Sequence, residues 1–212
     1  MALLSWSANA QRVLKHTLIP RGGGGSSILV CKITDYQLLV DCTNGAFNHN
    51  FVFINANGDI IQSQIKSLAA TNIIRVNDEG FFLALNLNDG LGAITGIVFD
   101  SLGAPVTSFR HVVGDPLTRG QLYYLDSYND SADNVVLHLY SVEGFMARDR
   151  RIYHITINTM GQLVKVKDYG IASPLTFFGA VEKGSKLLVK DGKLWGFTTL
   201  TEEGVIGWGI DT

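Results

Sequence analysis

A chain of 212 residues, 46% of them hydrophobic, is long enough to bury a full core, and that excludes intrinsic disorder. Seventeen Lys and Arg against nineteen Asp and Glu leave a formal charge of −2 with no block of like charge, so nucleic acid is a poor partner. Twenty-three Gly against four Pro, with β-branched and aromatic residues throughout, point to short strands joined by tight turns and to an all-β fold.

Met1-Ala2-Leu3-Leu4-Ser5-Trp6 has no basic region, and no apolar run has the length of a signal peptide or of a membrane span. The expectation is a chain kept in a cytoplasm or carried in a virion. Residues 12–19 read as a strand, and Gly22 to Gly25 with Ser26-Ser27 as a flexible connector. A phosphate-binding glycine loop would need Lys-Ser/Thr and a following helix, which this stretch lacks.

From there one pattern recurs: an apolar strand, Asn or Asp, two residues, Gly, and another apolar strand. It is seen at Phe51 to Gly58, Gly96 to Gly103 and Ile155 to Gly161, and a fourth copy, from Val205, is cut off at Thr212. Each copy extends upstream into a hairpin, so four strands a, b, c and d make one period. The first runs Ile28 to Ile33, Leu38 to Cys42, Phe51 to Asn55 and Ile60 to Lys66. The second runs Ile73 to Val76, Phe81 to Leu87, Ile94 to Asp100 and Val106 to Val112, and the third Leu122 to Asp126, Val135 to Tyr140, Ile152 to Asn158 and Leu163 to Lys167. The fourth offers Lys186 to Val189, Leu194 to Thr199 and Val205 to Asp211, leaving its strand d to residues 12–19.

A four-stranded meander cannot bury both faces alone, so the units must stack, and radial stacking closed by the termini covers the last exposed edge. The chain therefore resembles a small β-propeller, and a count of four blades is similar to that of hemopexin-like domains. It has neither the Gly-His and Trp-Asp pairing of WD40 blades, nor a kelch Gly-Gly doublet, nor the cysteine pair that ties the first hemopexin blade to the last. The resemblance implies a single domain over residues 1–212, a four-bladed propeller of four-stranded antiparallel sheets. Its blades lie near 27–67, 72–112, 121–168 and 176–212, and the strand 12–19 pairs with the C-terminal blade.

Loops at the b-to-c end are the longer ones, where a rigid scaffold carries its binding surface. Phe145 and Met146 beside Arg148, Arg150 and Arg151 have the composition of a protein interface. Asn44, Phe47, Asn48, His49 and Asn50 combine amides with an aromatic ring that could grip a sugar, or form a polar loop over one buried Phe. Asp126, Asp130 and Asp133 make an oxygen-rich hairpin that fits an Asx turn better than a Ca²⁺ loop, since the EF-hand Gly and terminal Glu are missing. His138 and His154 fall on neighbouring strands, a structural pairing before a metal site. Cys31 and Cys42 read as free thiols. No Ser, His and Asp arrangement and no carboxylate pair marks an enzyme.

The expectation is thus a non-enzymatic structural or adaptor protein without cofactor or bound metal, most plausibly a virion component of the phage tail or baseplate kind. It would contact other protein subunits in an oligomer or larger assembly. The alternative is a carbohydrate-binding, lectin-like propeller with glycans as partners.

Overall fold

The computed structural model describes residues 28–43, 47–87, 92–113, 121–143, 149–171, 186–190, 193–200 and 204–211. Every regular element among them is a strand. The first sheet is β1 (Ile28–Thr34), β2 (Gln37–Thr43), β3 (Asn48–Asn55) and β4 (Ile60–Ser67). The second is β5 (Asn72–Arg75), β6 (Phe82–Asn86), β7 (Ala93–Phe99) and β8 (Pro105–Val112). The third is β9 (Gln121–Asn129), β10 (Val135–Glu143), β11 (Asp149–Ile157) and β12 (Leu163–Ile171). Strands β13 (Lys186–Lys190), β14 (Lys193–Leu200) and β15 (Gly204–Asp211) make a three-stranded fourth sheet.

All four sheets are antiparallel meanders in sequence order. The all-β class and the three four-stranded units expected from the repeat are therefore present. The expected closing strand, residues 12–19, lies outside the described residues.

The c-to-d turns share one construction. The side-chain Oδ1 of Asn55, Asp100 and Asn158 each accepts two backbone N–H groups, those of the residues two and four positions on. Their own carbonyls accept from Gly58, Gly103 and Gly161, which sit at φ 79°, 78° and 78°. That is a tight turn closed by a residue in the left-handed region, where a side chain costs energy and glycine does not. The Asp130 hairpin uses the same bonds, with Asp133 at φ 58° in the glycine position.

Why the inner strands read as unbroken apolar runs follows from the stacking. One face of the first sheet packs Ile33, Leu39, Phe51 and Phe53 against Phe82, Ala84 and Phe99 of the second. The other face of the second sheet packs Leu83, Leu85, Ile94 and Val98 against Leu137, Leu139, Tyr153 and Ile155 of the third. A strand such as β6, covered on both sides, must be apolar at every position rather than at every second one. Fourth strands are different: β4 and β8 alternate between exposed and half-buried positions.

Successive sheets also approach each other along their first strands, β1 to β5 and β9 to β13. Outer strands touch the next sheet's turn. Gln64 of β4 donates to the Leu102 carbonyl at 2.6 Å, and His111 of β8 meets the Gly161 carbonyl at 2.8 Å. The same relation thus links the first sheet to the second and the second to the third.

One departure from the sequence reading concerns strand ends, and the expected free thiols are found. In the third sheet β10 and β11 stay paired out to Glu143 and Asp149, so the loop expected over 141–151 is shorter by three residues on each side. A ladder is held by backbone hydrogen bonds and needs no apolar side chains, so polar residues there did not end the strands. In the first sheet Cys31 lies opposite Leu39 and Cys42 opposite Ile28, which puts the two buried, free thiols on opposite faces.

Candidate functional site

Three groups of polar side chains are built into this scaffold. The first lies where the first strands converge. Burial pushes the Cys31 thiol of β1 up to about 11, with the Arg75 guanidinium of β5 pulling the other way. Tyr124 of β9 is raised by burial, opposed by its 2.8 Å hydrogen bond with Ser127 Oγ, and it feels Cys31 as well. Arg75 donates to the Asn77 carbonyl at 3.1 Å and pairs with Asp78. Asn129 donates to the Val76 carbonyl and so ties β9 to the end of β5. A protonated thiol, a paired guanidinium and a protonated phenol have no activated nucleophile among them.

The second group is a row across the third sheet. Asp126, His138, His154 and Lys167 are consecutive register partners on β9, β10, β11 and β12, so their side chains share one face. His154 Nδ1 stands 3.3 Å from His138 Nε2, and the rings meet edge to face. His138 is buried, and its Nδ1 has no hydrogen-bond partner. Burial, with His154 adding to it against the pull of Asp126, lowers His138 to about 4. His154 is lowered by burial and by Lys165 and Lys167. Both imidazoles are therefore neutral at pH 7. Tyr128 flanks His138 and Tyr169 flanks His154, with the Lys167 ammonium 4.8 Å above the Tyr169 ring.

The third is a buried hydrogen-bonded pair of a carboxyl and an imidazole. His49 Nδ1 lies 2.6 Å from Asp41 Oδ2, with the two side chains 1% and 0% exposed, while Asp41 Oδ1 is buried without a partner. Asp41 was not singled out from the sequence. Its signal was there, as one acid inside the apolar run Leu38 to Cys42.

Of the sugar-loop residues, Phe47 and Asn48 are exposed, and Asn50 Oδ1 accepts from Ser63 Oγ at 2.9 Å. His49 is turned inward to Asp41, away from the exposed Phe47, and Asn44 lies outside the described residues. Of the interface candidates, Arg151 pairs with Asp168 at 2.6 Å and Arg150 is placed on β11. Phe145, Met146 and Arg148 lie outside the described residues.

Asp130 of the oxygen-rich hairpin is engaged by Ala132 and Asn134, which hold its carboxyl below the usual range, and Asp126 Oδ1 accepts the Ser127 N–H. Two concavities of about 280 and 380 Å³ open on the described surface. The smaller runs past Ser67, Asn86, Thr95 and Phe109, the larger past Tyr36, Gln37, Ile54, Asn55 and Gly58. Comparison with models of known protein families gives no match, and comparison with curated proteins gives none either.

Proposed function

We propose that this chain is a four-bladed β-propeller that works as a structural or adaptor module, binding other proteins rather than turning over a substrate. The observation that carries the reading is the apolar surface of β4. Ile65 is 80% exposed and Ile61 57%, on a strand that has one ladder neighbour among the described residues. An edge strand with bare isoleucines invites association, and proteins that stay soluble usually blunt such an edge or cover it with a partner. A subunit of a larger assembly, a virion among them, is a setting in which it would be covered.

Ring closure is supported by two features of the first sheet. Val40, Cys42, Val52 and Ile54 are buried on the face turned away from the second sheet. The 380 Å³ concavity borders the Asn55 to Gly58 turn, the place that the neighbouring outer strand occupies at Leu102 and Gly161. Strand 12–19 is the segment proposed to fill it.

The test is absolute mass by size-exclusion chromatography with light scattering, for wild type and for Ile65→Lys. A discrete oligomer that the substitution converts to monomer, with unchanged far-UV dichroism, supports the reading. A monomeric wild type indistinguishable from the variant refutes self-assembly through β4.

A further inference from the structure

We propose that His138 and His154 form a cross-strand site for one divalent transition-metal ion of the zinc, nickel and copper class, held between His138 Nε2 and His154 Nδ1. Two nitrogens 3.3 Å apart, each ~2.1 Å from a shared ion, subtend close to the tetrahedral angle. The strands beneath them are fixed by the ladder on both sides, so the separation is set by the sheet rather than by mobile loops. Neutral imidazole is the ligand that this class of ion prefers, whereas Mg²⁺ and Ca²⁺ seek oxygen.

Protons balance without release to solvent. In the metal-free pair one N–H lies between the facing nitrogens. When the ion takes its place, that proton moves to the remote nitrogen of the same ring, and two metal–nitrogen bonds form.

For His138 that remote nitrogen is the buried, unpartnered Nδ1. Asp126 stands opposite His138 in the ladder and its charge already acts on the ring, which suits it to receive the N–H as an orienting carboxylate. Lys165 and Lys167 face the pair from β12 and oppose a dication, with Asp126 opposing them in turn. No third His, Cys, Asp or Glu completes the set among the described residues, so water fills the remaining positions.

The test is calorimetric titration of untagged protein with zinc and nickel chloride, with cobalt absorption as a spectroscopic readout. One saturable equivalent is expected in wild type and in His111→Gln, whose histidine meets Gly161 instead. His154→Gln should abolish saturation, and Asp126→Asn should weaken it about tenfold. His154 is only half-buried, so its variant keeps the test decisive if His138→Gln fails to fold. Absence of a saturable equivalent in wild type, or wild-type affinity in folded His154→Gln, overturns the proposal.

Discussion

Four hairpin turns with one bonding pattern and one unequal residue allow a reciprocal experiment. Gly161 and Asp133 occupy the same left-handed position, at φ 78° and 58°. Replacing Gly161 by Ala forces a Cβ into that region, at a cost of roughly 1–2 kcal/mol. Reduced freedom of the unfolded chain returns about 0.4–1 kcal/mol. The new Cβ would also lie 2.6 Å from Phe109 Cδ1, so the ring stacked on His111 has to move. Together these give a net loss of about 1–3 kcal/mol, a fall in Tm of roughly 3–9 °C for a chain this size. Asp133→Gly runs the other way. It relieves the same strain, which Asp tolerates better than most residues, and gives up about 0.5–1 kcal/mol of backbone entropy, leaving a change of about 0 to 1 kcal/mol in favour of folding. Urea unfolding of both variants measures the pair. A Gly161→Ala protein with the wild-type midpoint, or an Asp133→Gly protein destabilised by more than about 1 kcal/mol, would refute the shared turn geometry.

Removing one partner of the buried Asp41 and His49 pair leaves an uncompensated charge or an empty polar slot. His49→Ala should cost about 3–5 kcal/mol in the same urea assay, and a loss below about 1 kcal/mol would show that Asp41 is solvated. Asp130 is held below its ordinary pKa chiefly by Asn134, so its contribution to stability is full above the unfolded value of 3.8 and is lost as pH falls through the folded one. Asp130→Asn keeps the acceptor used at Asn55 and Asn158 and should remove that acid-dependent part, which thermal melts between pH 5 and 2 would detect as a shallower slope. Deleting residues 1–19 should lower the melting transition of the whole chain if they complete the fourth sheet, and an unchanged transition would rule out the closing strand.

Strand positions were legible because each inner strand is covered on both faces. Phe51 to Ile54 and Phe82 to Leu85 each carry four apolar residues in succession, and Val135 to Leu139 carries four broken only by His138. The turns were legible because one bonding scheme demands an oxygen side chain first and, in most copies, a glycine fourth. Asn77-Asp78-Glu79-Gly80 repeats that signature between the first two strands of its sheet, with Gly80 at φ 90° and Asn77 Oδ1 accepting the Phe81 N–H. Polar clusters were harder to read. The nearness of His138 to His154 followed from adjacent strands, but the alignment of Asp126 and Lys167 with them depends on register. A bulge between His138 and Leu139 in the β9 pairing shifts that register by one residue. Nothing local announces a bulge of this kind, and one residue of slip moves a side chain to the other face.

The inter-sheet contacts bear on the proposed ring more directly than the strand count does. Gln64 and His111 sit on the outer strands of consecutive sheets, and each reaches a turn carbonyl of the sheet that follows. Their side chains differ in chemistry, so the likeness comes from the placement of each outer strand beside the next sheet's turn and not from a shared sequence motif. First strands meet as well, since β1 contacts β5 and an Asn129 bond ties β9 to Val76 at the end of β5. In the proposed ring, the buried far face of the first sheet and the concavity beside its own turn are where the fourth sheet would arrive. If a strand closes the proposed ring, it is expected to offer the Asn55 turn what Gln64 offers Leu102: a side chain that bridges two sheets where backbone pairing cannot.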